Sequence, residues 1–130
     1  MGISITSLAY SLPPEKITGA ELSARFGGAA MRKIEAVSGI LERRRAGAGV
    51  CASDLAAGAA RLLFSGAGYS PKDFDLLIFA SQTPDYLIPT TACILQDRLG
   101  MDNSCAAFDL NLGCSQFVYA LATARAWIEG

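Results

Sequence analysis

The sequence predicts an α/β fold with a mostly parallel sheet and helices on both faces. Strand-like and helix-like segments follow the order strand, helices, strand, helix, strand, helix, which is typical of a parallel sheet with crossover helices. Asp75–Ala80 contains a short, continuous apolar run of the kind found in strands that are covered on both faces. Because three strands are few for a parallel α/β core, residues 1–130 are expected to form one domain with an incomplete fold.

The N-terminal residues are predicted to form a strand followed by a short helix. Residues 3–10 alternate apolar and small polar side chains, as a strand does, and a Leu-Pro-Pro sequence ends the alternation. Thr18 and Glu21 have the spacing of a capping box, in which each residue accepts a backbone N–H hydrogen bond from the other. We therefore expect a helix after Thr18, with Leu22 and Phe26 on its buried face.

Three further helices are predicted before residue 101, and each ends close to a glycine, the residue that favours helix C-termini. They are Met31–Val37, a helix that Ser53 caps and that ends near Gly66–Gly68, and a helix that Thr90 or Thr91 opens and that Gly100 ends.

The stretch Asp109–Leu121 (DLNLGCSQFVYAL) concentrates the chemistry of the chain. Cys105–Leu110 is predicted to be a buried strand, the next three residues a tight turn, and Cys114 the start of a helix that runs to Ile128. A cysteine at a helix start meets free backbone N–H groups and the positive end of the helix dipole, which both favour a thiolate.

A helix terminus contributes only about 1 kcal/mol to thiolate stability, so a nucleophilic cysteine also needs a base such as histidine. The chain contains no histidine. The residues therefore leave two interpretations open: Cys114 is a core residue, or its partners lie outside these 130 residues.

The composition argues against several classes of function. With 52% hydrophobic residues, 18% charged residues and a net charge of −1, the chain is expected to form a globular core without the positive field that nucleic acid requires. The basic run Arg43–Arg45 is interpreted as a solvated helix end or loop rather than a phosphate contact. No apolar run approaches the ~20 residues of a membrane span and no signal-peptide pattern is present, so a cytoplasmic protein is expected.

The four cysteines do not have the spacing of a metal site or a disulfide framework. They form no Cys-x-x-Cys pair, and a disulfide framework is typical of smaller, cysteine-dense secreted chains. We expect reduced thiols, with structural roles for Cys51, Cys93 and Cys105. Asn111 is interpreted as a turn residue rather than a catalytic amide.

Four segments together carry a resemblance to a known family: Gly39–Arg43 (GILER), Thr83–Tyr86 (TPDY) with Pro89 and Ala92, Leu95–Gly100 (LQDRLG), and Asp109–Leu121. The last segment is the most specific. Over essentially its whole length, the chain resembles the N-terminal part of β-ketoacyl-acyl carrier protein synthase III, a member of the thiolase superfamily. The resemblance implies the N-terminal half of a thiolase-like fold, with the C-terminal half absent.

The resemblance also implies a reaction. Cys114 matches the nucleophile that takes an acyl group from an acyl thioester, either acyl-coenzyme A or an acyl carrier protein thioester. A carbanion formed by decarboxylation of malonyl-acyl carrier protein then attacks the acyl-enzyme, and no further cofactor is implied. In the family a histidine and an asparagine from the second half assist decarboxylation, so these 130 residues alone are expected to be inactive.

Two departures from the family pattern concern the substrate. Many relatives hold the coenzyme A adenine with a tryptophan and an arginine, whereas the matching positions here are Lys33 and Val37. An acyl carrier protein or an unusual donor therefore becomes an alternative to coenzyme A. Gln116 stands where relatives commonly have glycine, and its long side chain is expected to line or crowd the acyl pocket.

Relatives of this kind are homodimers, and the resemblance implies that Ile88 lines the acyl pocket of the partner subunit. An ordinary loop residue packed on its own core is an equal alternative for Ile88. Three alternatives to the whole assignment also stay open: a non-catalytic acyl-binding or dimerisation module, another thiolase-superfamily condensing enzyme, and a thiol redox protein. The redox alternative needs a resolving cysteine, and the nearest in sequence, Cys105, lies at the far end of the predicted strand.

Overall fold

A computed structural model describes residues 2–130 of the chain. These residues divide into two compact units, Leu12–Val50 and the residues up to Ser11 together with Cys51–Gly130. The elements in chain order are β1 (Glu15–Thr18), α1 (Gly19–Phe26), α2 (Gly28–Ser38), β2 (Glu42–Arg45), α3 (Ala52–Ala67), β3 (Leu76–Ala80), α4 (Thr91–Leu99), β4 (Ala106–Leu110) and α5 (Gln116–Glu129).

In the unit Leu12–Val50, the basic run Arg43–Arg45 belongs to β2, so its prediction as a helix end or loop was wrong. This strand pairs antiparallel with β1, and Glu15 lies directly opposite Arg45 and forms an ion pair with it. Lys16 Nζ lies 3.0 Å from Glu42 Oε1 across the same ladder. Opposite charges on facing strands compensate for the low strand preference of these residues.

The predicted capping box at the start of α1 is confirmed. The backbone N–H of Thr18 donates to Glu21 Oε2 at 2.7 Å, and the N–H of Glu21 donates to Thr18 Oγ1 at 3.3 Å. The hydrogen bond from the Thr18 N–H, followed by the one from its hydroxyl, holds the pKa of Glu21 below its usual value. Leu22 is half-buried, but Phe26 is exposed, with the Arg25 guanidinium 5.0 Å from its ring centroid. Its predicted burial was wrong.

In the second unit, β3 and β4 form a parallel pair with helices on both faces, as predicted. Leu77 and Phe79 pack in the cluster that contains residues of α3 and α4. Leu76 and Ile78 instead line a groove with residues of α5. Because successive side chains of a strand point to opposite faces, α5 covers one face of the sheet and the other two helices cover the opposite face.

The core of this unit lies between the sheet and helices α3 and α4. Leu95 is 2% exposed, and the small side chains of Ala57 and Ala92 are fully buried, so the helix backbones approach their neighbours closely. The core is completed by Phe79, Leu99, Met101 and Cys105. No helix among residues 2–130 combines the length and the hydrophobicity that crossing a membrane would require.

Residues 3–10 do not form a strand, so this prediction was wrong. Alternation of apolar and polar residues favours a strand only where an open sheet edge offers partners for the backbone groups. Among residues 2–130, no strand pairs with this segment. A side chain does contact this segment: the Tyr69 hydroxyl donates a hydrogen bond to Thr6 Oγ1 at 3.4 Å.

Two predicted helix starts also differ from the structure. The N-cap of α3 is Cys51 rather than Ser53, and the Asp54 carboxylate accepts a hydrogen bond from the Cys51 N–H at 2.8 Å. Helix α5 begins at Gln116, two residues after Cys114.

Candidate active site

Cys114 lies in the turn that joins β4 to α5. The backbone N–H of Gln116 donates to the Gly113 carbonyl at 3.0 Å, and that of Tyr119 donates to the Ser115 carbonyl at 3.2 Å. The cysteine is therefore the residue before the N-cap Ser115 rather than the first residue of the helix. Its side chain is exposed in this part of the chain, so a reagent in solution can reach the thiol.

This turn lies at the carboxyl edge of the parallel sheet. Strands β3 and β4 run in the same direction, so the loop after β3 and the turn after β4 leave the sheet at the same edge. A Cβ atom at Gly113 would lie 3.6 Å from Gln82 Nε2, which places the Gln82 amide beside the turn. Ligands of α/β proteins characteristically bind at this edge.

Gln116, predicted to line the acyl pocket, is the first residue of α5 and is half-buried. Its Oε1 atom is buried and has no hydrogen-bond partner among residues 2–130. A buried acceptor without a donor is costly, so this oxygen is available to a donor from a ligand or from another part of a larger protein.

Ile88, the second predicted pocket residue, lies in the loop between β3 and α4 and is 90% exposed. Tyr86 and Leu87 beside it are also exposed. The alternative in which Ile88 packs on its own core is therefore wrong for the described residues.

The end of this loop is held by Asp109, a residue of β4. The Asp109 carboxylate accepts hydrogen bonds from the backbone N–H groups of Thr91 at 2.9 Å and of Ala92 at 2.7 Å. These N–H groups belong to the first turn of α4, where they have no partner within the helix. A negative charge there is further stabilised by the helix dipole.

The middle of the loop is held by Asp85. Its carboxylate accepts hydrogen bonds from both the backbone N–H and the hydroxyl of Ser53, and its own N–H donates to Thr91 Oγ1 at 3.1 Å. Ser53 and Thr91 are fully buried. Arg98 completes the arrangement by donating to Ser53 Oγ at 2.9 Å and to Asp54 Oδ1 at 2.8 Å.

The roles of Asp85 and Asp109 were missed from the sequence. Asp85 and Asp109 belong to two segments that carry the family resemblance, Thr83–Tyr86 and Asp109–Leu121. The hydrogen bonds of their carboxylates, however, join residues far apart in the chain. The available signal was an acidic residue within a buried strand, because such a carboxylate needs hydrogen-bond donors.

Cys105 does not contribute to this site. Cys105 is buried in the core, and burial, with smaller contributions from Asp75 and Asp102, raises the pKa of its thiol. The five residues of β4, about 17 Å of extended chain, and the three residues of the turn lie between it and Cys114. A resolving role for Cys105 is therefore incompatible with this geometry. Among residues 2–130, no cluster of three potential metal ligands is found.

The positions that match the adenine-binding residues of relatives lie on α2. Both Lys33 and Val37 are exposed. Neither has an aromatic ring or a guanidinium with which to repeat the stacking arrangement.

A groove of about 760 Å³ lies between α5 and the N-terminal end of β3. It is lined by Leu121, Ala124 and Trp127, among others. Phe117 and Ile128 of the same helix are exposed. The groove lies at the opposite end of α5 from Cys114 and is separate from the candidate site.

No protein-family model matches the chain. Its structure and sequence are similar to those of solved condensing enzymes. A 3-oxoacyl-(acyl-carrier-protein) synthase III solved at 2.1 Å shares 41% identity over 95% of this chain, with a TM-score of 0.87 and 36% of its own length covered. The 3-oxoacyl-(acyl-carrier protein) synthase of Burkholderia xenovorans LB400 shares 36% identity over 93% of this chain, with a TM-score of 0.84 and 36% of its own length covered.

A tetronic acid condensing enzyme is also similar, with 35% identity over 95% of this chain, a TM-score of 0.81 and 39% of its own length covered. The chain thus spans 36 to 41% of the length of the structures that it matches. The predicted fold class, an incomplete thiolase-like α/β fold, is confirmed.

Proposed function

We propose a function from the premise that this chain is a 3-oxoacyl-[acyl-carrier-protein] synthase III-like fragment of a condensing enzyme. The parent protein is an acyltransferase that carries an acyl group on Cys114 and condenses it with malonyl-acyl carrier protein. It acts in fatty acid biosynthesis or a related pathway of acyl-chain synthesis in the cytoplasm. The observation that supports this most is the exposed Cys114 thiol in the turn before α5.

In the first step, the Cys114 thiolate attacks the carbonyl carbon of an acyl thioester. The tetrahedral intermediate collapses, the C–S bond to the donor breaks, and the donor leaves as a thiolate while the acyl group stays on Cys114. In the second step, malonyl-acyl carrier protein loses carbon dioxide and the resulting carbanion attacks the acyl-Cys114 carbonyl. A C–C bond forms, the Cys114 thiolate is released, and the product is a β-ketoacyl thioester.

The residues of this chain supply the nucleophile, an oxyanion donor and part of the pocket in this scheme. The backbone N–H of Cys114 donates to the oxyanion of the tetrahedral intermediate. Gln116 and Ile88 line the acyl pocket, with Ile88 reaching the pocket of the partner subunit in a homodimer. No cofactor is required, because decarboxylation itself supplies the carbanion.

The base and the amide that assist decarboxylation come from the part of the parent protein that follows this chain. The 130 residues contain no histidine, and we therefore expect them not to complete the reaction alone. The donor is either acyl-coenzyme A or an acyl carrier protein thioester, because Lys33 and Val37 do not provide the usual grip on adenine.

The test is acylation of the full-length protein. Purified protein is offered a panel of acyl-coenzyme A and acyl carrier protein thioesters, and its peptides are measured by mass spectrometry. We expect one acyl group on the Cys114 peptide and formation of a β-ketoacyl product after malonyl-acyl carrier protein is added. Cys114→Ala should abolish both the mass increase and the product.

The matched control is Cys51→Ser. Cys51 is also exposed, and serine is a favourable residue at its N-cap position, so this variant removes a second accessible thiol without weakening α3. It should acylate and condense as the wild type does. Condensation by Cys114→Ala would refute the assignment, and a parent protein that binds acyl thioesters without acylation would be a non-catalytic module.

A further inference from the structure

We infer that Asp109 is a positioning residue that aligns the loop carrying Ile88 with the turn carrying Cys114. The loop anchor consists of Ser53, Asp85, Thr91 and Asp109, and it holds the loop on both sides of residues 86–90. This inference rests on the proposed function, in which Ile88 of each subunit enters the acyl pocket of its partner, so the position of the loop on its own subunit decides where Ile88 enters that pocket.

Asp109 connects the two parts of the site directly. It lies on β4, the strand that leads into the Cys114 turn, and both of its carboxylate oxygens accept backbone N–H groups of the first turn of α4. That helix follows the Ile88 loop without a break. A displacement of α4 relative to β4 would therefore move the loop relative to its own subunit and, in the homodimer of the proposed function, would move Ile88 in the pocket of the partner subunit.

Helix α4 begins after a threonine, a residue type that often caps a helix with its own side chain, but this threonine does not do so. Thr90 occupies the N-cap position, but its side chain makes no capping hydrogen bond. Its hydroxyl donates to Cys93 Sγ at 3.3 Å instead. The N-terminal N–H groups of α4 are consequently satisfied by a carboxylate from another element.

The loop is also fixed on the other side of Ile88. Asp85 is held by Ser53 of α3, and its N–H donates to Thr91, so the two residues that flank segment 86–90 are joined to each other. Between these fixed points, Tyr86, Leu87 and Ile88 are exposed. The anchor thus presents an apolar loop tip from a fixed base, which lowers the entropy cost of ordering it around an acyl chain.

The experiment compares two reactions of the same thiol in the full-length protein. Acylation of Cys114 by an acyl thioester depends on the alignment of the pocket, whereas alkylation by iodoacetamide depends only on the thiol and its access to solvent. In Asp109→Asn, one acceptor oxygen becomes an NH₂ group that faces a backbone N–H. Since a misplacement of ~1 Å can cost about 100-fold, we expect acylation to slow at least ~10-fold and alkylation to stay within about twofold.

The control is Asp97→Asn, which removes a carboxylate from α4 at an exposed position for which no side-chain hydrogen bond or ion pair is found among residues 2–130. Its ratio of acylation to alkylation should equal that of the wild type. Asp85→Asn perturbs the other fixed point of the loop and should also lower the ratio of acylation to alkylation. This variant tests the inference if Asp109→Asn does not fold.

An unchanged ratio in the anchor variants would overturn the inference, and so would equal losses of both reactions, which a merely structural role of Asp109 predicts. These results are distinguishable from failure of the proposed function. In that case, the wild-type protein would itself not be acylated on Cys114.

Discussion

Ser53→Ala should destabilise the start of α3 and the loop between β3 and α4, which Asp85 fixes to α3. The Ser53 side chain is 1% exposed, and its hydroxyl is the shared partner of two charged groups. It donates to the Asp85 carboxylate and accepts a hydrogen bond from Arg98 Nη1 at 2.9 Å. Alanine removes both hydrogen bonds and leaves the methyl group in their place.

The expected loss in the free energy of unfolding depends on the hydrogen bonds that Asp85 and Arg98 keep. Hydrogen bonds to charged groups contribute about 1.5–3 kcal/mol each. Asp85 keeps the bond from the Ser53 N–H, at 3.3 Å, and Arg98 keeps its ion pair with Asp54, at 2.8 Å. Neither charge is left without a partner, so we expect the lower end of the range for each bond and a total of about 3 kcal/mol.

Hydrogen exchange of the full-length protein measures this loss locally. A loss of about 3 kcal/mol corresponds to exchange that is about 100-fold faster for amides that open with the anchor, those of residues 85–92. Ser65→Ala is the matched control, because it removes a hydroxyl of the same helix that is exposed and donates to the Leu62 carbonyl at 3.2 Å. The control should change exchange by less than about threefold.

Equal effects of Ser53→Ala and Ser65→Ala would refute the reasoning, since the buried hydroxyl would then contribute no more than an exposed one. Faster amide exchange throughout the protein rather than near residues 85–92 would also contradict it, because the loss of stability would then not be local.

Two further predictions concern stability of the full-length protein. Leu95→Ala should lower the free energy of unfolding by about 3–5 kcal/mol in urea titrations, because Leu95 is 2% exposed in the core, whereas the exposed Leu87→Ala should cost less than about 0.5 kcal/mol. Glu21, Asp54 and Asp102 each accept a backbone N–H hydrogen bond that lowers the carboxyl pKa in the folded state. Their stabilisation is therefore complete above the unfolded pKa of about 4 and is lost as pH falls through the lower folded values. A melting temperature that stays constant from pH 5 to pH 2 would contradict this.

The parts of the fold that could be predicted from the sequence depend on neighbouring residues. The capping box of Thr18 and Glu21 was predictable because both partners lie within one helical turn. Gly100 adopts the left-handed conformation, with φ of 69°, at the end of α4, as its position after an apolar helix face indicated. The apolar runs that became β3 and β4 were equally clear.

The errors arose where a structure depends on a partner that is distant in sequence. Residues 3–10 have the pattern of a strand, but no strand among residues 2–130 pairs with them. Arg43–Arg45 have a poor strand pattern but pair with β1, where Arg45 lies opposite Glu15 and forms an ion pair with it. Ser53 has the chemistry of a cap, and a carboxylate 32 residues away determines its contacts instead.

The two ways of capping a helix in this chain differ in what they connect. At α1, Thr18 and Glu21 satisfy the N-terminal N–H groups from within the same segment, so the cap stabilises that helix alone. At α4, Asp109 satisfies the corresponding groups from β4, and every hydrogen bond that stabilises the helix also fixes its distance from the strand that leads to Cys114. A cap of the second kind is the arrangement to expect where two elements must keep a set separation, as β4 and the loop must if Ile88 is to enter the pocket of the partner subunit at a fixed position.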